Sequence, residues 1–301
     1  MNRCCAISVT YNPNLTVLQR SISATVSQVD MVYVIDNGSR VPFDGLLASI
    51  EGAEGIFLGE NKGIAAGFNA GIQLARKAGY KYVLLLDQDS IPPEGMVRRY
   101  LEVVEELAEA GESIAALGPR YRNPQTGHIS RFVRFNWFRN SYYCGKDESS
   151  VVPADFLISS GSFYDLTVFE KTGLFDEGLF IDHVDTEWFL RATDLGLQCF
   201  GVNDVVMEHS LGESALCLWF LRWHIQPIHK PFRLYYIFRN SLLMYRMPHI
   251  PKKWISGDIF RLLRLILMYA IFSPHRCKAF NWMMLGVRDG IRGVTGFAPS
   301  N

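Results

Sequence analysis

Through its first 117 residues the chain alternates short apolar runs with segments of helical period, and this alternation limits the fold more than any other feature. Cys5 to Thr10, Met31 to Ile35, Ile56 to Leu58, Tyr82 to Leu86 and Ile114 to Leu117 read as strands. Leu15 to Val26, Ala65 to Ala78 and Glu94 to Ala110 read as helices, the last with Leu101, Val104 and Leu107 on one face. The pattern is βαβ, the mark of an α/β fold with an open sheet. Residues 121–150, rich in Arg, Asn, Tyr and Ser, lose the rhythm and read as a long loop. A strand is expected again over Phe156 to Tyr164, with small residues at 158–162 that suit either close ligand approach or tight sheet packing. A helix from Asp185 to Leu195 closed by Gly196, and strands at Cys199 to Val202 and Val205 to His209, complete the pattern.

Three of the strands end in polar clusters: Thr10-Tyr11-Asn12, Asp36-Asn37-Gly38-Ser39 and Asp87-Gln88-Asp89. In an open α/β sheet the carboxyl ends of the strands line the ligand cleft, so the clusters converge on one edge. Residues i and i+2 of an extended chain project to the same side, which brings the Asp87 and Asp89 carboxylates out together. Paired hard oxygen anions suit Mg²⁺ or Mn²⁺ carrying a diphosphate. The same residues also suit a plain turn, with Asp89 or Ser90 as a cap and Pro92-Pro93 opening a helix. Asp36, an ionised carboxylate, can only accept hydrogen bonds, as from a pyrimidine N–H or a ribose hydroxyl. Between the clusters, Asn61-Lys62-Gly63 leads into a glycine- and alanine-rich helix whose start offers free N–H groups and a cation to an anion, or whose small residues serve helix packing.

Read in order, these clusters, the segment Asn61 to Asn69, and Asp185-Thr186-Glu187-Trp188 with Leu190-Arg191 resemble family 2 glycosyltransferases of the GT-A fold, and within them bacterial rhamnosyltransferases. The resemblance covers roughly residues 4–245. It implies a Rossmann-like, mostly parallel sheet flanked by helices, and inverting transfer from a nucleoside-diphosphate sugar, with dTDP-L-rhamnose the expected donor. The expected acceptor is a lipid-linked saccharide in surface polysaccharide synthesis, such as cell-wall polymer or O-antigen. Carried over, Thr10, Tyr11, Asn12, Asp36, Asn37, Asn61, Lys62, Gly63, Gln88 and Arg239 would line the donor site, with Arg239 near the diphosphate. Asp87 and Asp89 would be the metal motif, here with Gln88 between them, and His209 a further metal ligand. Asp185 would be the base, and His183, Glu187 and Trp188 would meet the acceptor.

The chemistry agrees. Inverting displacement at an anomeric carbon needs a base on the acceptor side and a counter-charge on the leaving diphosphate. On a helix, side chains two apart diverge by about 200°, so Asp185 and Glu187 cannot serve one atom. Alternatively Asp185 is a helix cap and Glu187 a first-turn acid favoured by the helix dipole. A rival reading, a phosphatase of the haloacid dehalogenase type with Asp87 as nucleophile and Asp89 as acid, fits the carboxylate pair but not the βαβ unit ahead of it.

Formal net charge is zero, which argues against a nucleic-acid partner, yet it hides a division. Residues 212–301 hold 13 of the 30 Lys and Arg but only 3 of the 30 Asp and Glu, a surplus of 10 positive charges balanced by an equal deficit in residues 1–211. The expected organisation is therefore a catalytic GT-A domain over 1–211 and a helical, basic region over 212–301, compatible with a homo-oligomer. Six cysteines without framework spacing, and no export signal, fit a reduced cytoplasmic protein. Residues 254–272 are long and apolar, but Asp258, Arg261 and Arg264 recur on one helical face, and each charge at mid-membrane would cost roughly 2.5–3.5 kcal/mol. An in-plane helix avoids that cost, giving peripheral attachment to the inner face of the cell membrane, with burial against the core as the alternative.

Overall fold

A computed structural model describes residues 3–123, 127–137, 141–144, 147, 150–208, 214–220, 222–228, 230–273 and 275–298. The first half runs β1 (Cys4–Thr10), α1 (Leu15–Val26), β2 (Met31–Asp36), α2 (Asp44–Ala48), β3 (Ala53–Phe57), α3 (Ile64–Lys77), β4 (Tyr82–Asp87), α4 (Met96–Glu109) and β5 (Ile114–Arg122). There follow β6 (Phe132–Arg134), β7 (Ser141–Tyr143), β8 (Val151–Ala154), β9 (Phe163–Asp165), α5 (Val168–Thr172), α6 (Val184–Asp194) and β10 (Gln198–Glu208). Eight strands form one sheet in the order β3-β2-β1-β4-β9-β5-β10-β8, parallel except for β9 and the edge strand β8.

Period-two alternation places the core on both faces of this sheet. Ile7, Val9, Tyr33, Ile35, Val83 and Leu85 pack with Phe68 and Ile72 of α3 and Trp188 and Phe189 of α6. Ala6, Val32, Val34, Leu84 and Leu86 pack with Leu18 and Ile22 of α1 and with Val97, Tyr100 and Val103 of α4. A helix can sit this close to β1 only where side chains are missing: a Cβ on Gly71 of α3 would lie 2.5 Å from Ile7 Cγ2. Leu101, Val104 and Leu107 are only half-buried at the edge of the α4 face.

Two expectations change. The segment 121–150 contains the β6–β7 hairpin, and the strand expected over 156–164 shrinks to β9. Ser159 to Ser162 instead form a turn, with Ser162 N–H donating to Ser159 O and Ser162 Oγ to Ile158 O. Small hydroxyl residues satisfy their own backbone here and so compete with the sheet ladder.

Beyond residue 211 the expected helices are present, preceded by a strand pair. Ser214–Phe220 (β11) and Arg222–Ile228 (β12) pair as an antiparallel hairpin, in keeping with their aromatic and β-branched composition. Three helices follow, α7 (Pro231–Met244), α8 (Lys252–Phe272) and α9 (Arg276–Arg292). They share a cluster including Leu234, Phe238, Leu265, Met268 and Met283. Helix α8 presents its apolar side outward. Asp258 is buried and Arg261 half-buried, both facing α7, whereas Ile259, Phe260, Leu263, Leu267 and Ile271 are exposed. Asp258 and Arg261 pair within the protein, whereas Arg264 stays exposed. Among the described residues no helix is long and apolar enough to cross a membrane.

Candidate active site

The strand order runs outward from β1 to β2 and β3, then returns to β4 on the other side of β1, so the chain changes direction between β1 and β4. That switch point is where open α/β sheets bind ligands. In register, Thr10 faces Asp36 on β2, and Val9 faces Asp87 on β4, which lines up the three polar strand ends as a single row.

Within the row, side chains tie the loops together. Asp36 is buried, and both of its oxygens accept from Ser39 N–H at 3.2 and 3.0 Å. Asn37 donates to Asn61 Oδ1 at 3.1 Å and accepts from Lys62 N–H at 2.9 Å, while Asn61 Oδ1 also accepts from Gly63 N–H. Asn12, in a left-handed conformation, accepts from Arg40 N–H, and Gln88 Oε1 accepts from Tyr11 N–H at 2.8 Å. Thr10 is buried, Tyr11 exposed, and Lys62 pairs with Glu60 at 3.7 Å. Asp87 is half-buried and Asp89 exposed at the open end of β4. The Ser159–Ser162 turn supports this end, with Ser160 Oγ accepting from Asp87 N–H at 2.9 Å.

Opposite the row stands the start of α6. Three residues before it, Phe180, Asp182 and His183, have φ between 63° and 66°, a region that costs a non-glycine residue of order 1–3 kcal/mol. The strain is held by surrounding groups. Phe180 O accepts from Ile64 N–H at 2.8 Å, and a Cβ on Gly63 would lie 2.5 Å from that same oxygen. Asn240 on α7 donates to the carbonyls of Leu179, Ile181 and Asp182, each at 2.9 Å, and Arg233 forks onto the Asp182 carboxylate. Gly296 N–H donates to Gly178 O at 2.7 Å, and Phe297 packs edge-on against Phe180.

Asp185 sits in the first turn of α6, where its Oδ1 accepts from Thr186 N–H at 2.8 Å. Burial pushes its carboxyl up to about 6; hydrogen bonds from the Thr186 and Ser159 backbones oppose this, and the charges of Asp87 and Asp182 add to it. The Asp87 charge is therefore felt at Asp185. Burial also holds the Tyr121 phenol neutral, reinforced by the charges of both carboxylates, and its hydroxyl donates to Ser160 O at 2.7 Å.

The family model for glycosyl transferase family 2 matches residues 5–173, the segment that builds the row of strand ends. Over 97% of its length the chain is 31% identical to the dTDP-rhamnosyl transferase RfbF of Shigella flexneri, covering 96% of that protein. The chain belongs to glycosyl transferase family 2. It is a glycosyltransferase, and the phosphatase reading of Asp87 and Asp89 falls away. Solved structures of similar fold include GalNAc-T7 crystallised with UDP, GalNAc and Mn²⁺ (TM-score 0.57, 13% identity, 91% of this chain) and S. aureus TarS (TM-score 0.53, 14% identity, 97% of this chain). The chain spans 58% and 49% of those two structures, and the likeness is one of GT-A fold.

Set in this family 2 enzyme, four residues move out of the roles expected for them. Arg239 is fully buried, donating to Gly296 O, Gly178 O and Leu179 O and packing on the rings of Tyr235 and Tyr236, so it braces the 177–180 segment and cannot reach a diphosphate. Trp188 is fully buried among Tyr164, Phe169, Phe175 and Phe189, with its N–H on Gly173 O, and has no surface to offer an acceptor. Glu187 is buried and bound by Arg191 at 2.7 Å, with His249 Nε2 2.8 Å from its carboxylate. The His183 ring turns away to Ser241 and Arg261. His209 lies outside the described residues. Ser160 comes from the small-residue stretch whose role the sequence left open, whereas Tyr121 and Asn240 enter the site unexpected, because their partners are distant in sequence and no local pattern marks them.

Proposed function

We propose that this glycosyltransferase moves L-rhamnose from dTDP-L-rhamnose to a saccharide acceptor on a lipid carrier, with inversion at the anomeric carbon. The donor rests on one observation, the likeness to a dTDP-rhamnosyl transferase along nearly the whole chain. Asp36, Tyr11, Asn12, Asn37, Asn61 and Gly63 bind the nucleoside and ribose side of the donor, and Lys62 supplies a cation toward the diphosphate.

Asp87 and Asp89 would hold Mg²⁺ or Mn²⁺. The fit is chemical: two hard carboxylates stand two residues apart at the open end of β4, Asp87 at its last position and Asp89 in the turn closed by Ser90 N–H on Asp87 O. Two carboxylates plus substrate phosphate oxygens is the arrangement Mg²⁺ favours. The ion supplies counter-charge to the departing diphosphate, and His209 is proposed as a further ligand. Asp185 takes the proton of the acceptor hydroxyl as its oxygen bonds to the anomeric carbon. The bond from that carbon to the phosphate oxygen breaks, and dTDP leaves with the electron pair. A base held near 6 is ionised at neutral pH yet still basic enough to accept the proton.

We place the enzyme on the inner face of the cytoplasmic membrane, with residues 1–211 as the catalytic unit and 212–301 as the region that meets lipid. The outward face of α8 is apolar, and α9 adds exposed Phe280 and Met284, with Arg264, Arg276 and Lys278 exposed beside them. Ile266 and Phe280 line a shared apolar groove of about 320 Å³ between the two helices. Each basic residue near anionic lipid adds about 1 kcal/mol.

Two experiments test these readings. Incubation with a panel of nucleoside-diphosphate sugars and a lipid-linked glycan extract is expected to release dTDP only when dTDP-rhamnose and acceptor are both present; equal turnover of another donor would overturn the rhamnose assignment. Flotation with anionic vesicles is expected to carry the protein, and Leu263→Glu with Leu267→Glu to abolish it. Unchanged flotation would remove α8 from the membrane.

A further inference from the structure

Helix α8 reaches the start of α6 through one side chain. Arg261 Nη2 lies 2.9 Å from His183 Nε2, and the same guanidinium pairs with the buried Asp258 carboxylate at 2.6 and 2.7 Å. Tyr245 donates to Asp258 at 2.7 Å, Ser241 Oγ lies 3.0 Å from His183 Nε2, and Trp254 packs edge-on against the His183 ring. Because an arginine can only donate, His183 Nε2 is the acceptor and the ring is neutral. Burial agrees, holding this imidazole down to about 4, helped by the Arg261 charge.

His183 is also the residue from which α6 departs, with φ of 66° two positions ahead of Asp185. Phe180 and Asp182 share the left-handed conformation but have separate restraints, the Gly63–Ile64 backbone and Arg233. His183 is held by Arg261, with Ser241 Oγ at the same nitrogen and Trp254 against the ring. Relaxation of His183 to negative φ would swing the first turn of α6, and a displacement of about 1 Å at a reacting group costs on the order of 100-fold in rate.

We propose that Arg261, backed by Asp258, is a positioning residue for Asp185: by holding the His183 ring it fixes the backbone turn that aims the base at the acceptor. The inference rests on Asp185 being the base. It gives α8 a role in the chemical step, distinct from any contact its outer face makes.

The test uses the full-length enzyme and the paired substitution Asp258→Asn with Arg261→Gln, which strands no buried charge, together with His183→Asn, which tolerates left-handed backbone but is too short to reach Arg261. Each is measured in the parent and in Asp185→Asn for kcat, donor KM and melting temperature. Expected are a fall in kcat of at least about tenfold with donor KM within about twofold, and no further fall when the same changes are added to Asp185→Asn. A lower melting temperature with unchanged kcat overturns the proposal, as does a loss of kcat that adds to that of Asp185→Asn. Parent-like kcat in Asp185→Asn itself would instead sink the base assignment.

Discussion

The two sides of the cleft are built by different means. The row of strand ends, Thr10, Asp36 and Asp87, is placed by sheet register, so each polar group arrives where its own strand stops. The start of α6 has no such rail. Its left-handed residues are held by Gly63, Arg233, Asn240 and Arg261, from α7, α8 and a loop more than a hundred residues upstream. The donor side is therefore rigid by local pattern, whereas the base side is a keystone whose geometry depends on the rest of the molecule. Changes at Asp36 and its neighbours in the row should alter donor binding; changes around α6 should alter turnover or stability and leave donor binding intact.

The largest separation is expected from Asp185→Asn, with turnover reduced about 1,000-fold and donor affinity retained, read by transfer assay and by calorimetric titration of the donor. Equal loss of both would erase the distinction. Next comes Asn240→Ala, which leaves the Ile181 and Asp182 carbonyls short of a donor and should cost about 2–3 kcal/mol in denaturant unfolding. Asp36→Asn, on the other side, is expected to weaken donor binding roughly tenfold through one charge-assisted hydrogen bond, with melting temperature little changed.

The smallest effects concern pH. Asp185 must be ionised to act, so activity should fall as pH drops through about 6. For stability the sign is opposite to that of a salt-bridged carboxylate. The folded protein binds this proton more tightly than the unfolded chain, so the contribution is present at low pH and lost as pH rises through about 6. Asp185→Asn should thus melt above the parent at pH 8, with the gain shrinking below pH 6.

The same division explains what could be read from sequence. Strand ends and the Asn61–Gly63 loop follow from local alternation and short-range turn chemistry, and their positions were legible. Trp188, Glu187 and Arg239 were misjudged because a motif residue beside a catalytic one can serve the core: Trp188 fills an aromatic cluster, Glu187 answers Arg191 and His249, and Arg239 braces backbone carbonyls. In α8 the spacing of Asp258 and Arg261 on one face was legible, but not their partner: they satisfy each other and His183, 75 or more residues upstream.

The fold-back of residues 294–298 onto Gly178 and Phe180 also sets an order of events in the cell. Asp185 leaves the ribosome long before Gly296 does, so a nascent chain can assemble its nucleotide floor while its base segment still lacks a closing strap. Sugar transfer would wait on that strap, since the Gly178–Phe180 turn gains its contacts with Gly296 and Phe297 last.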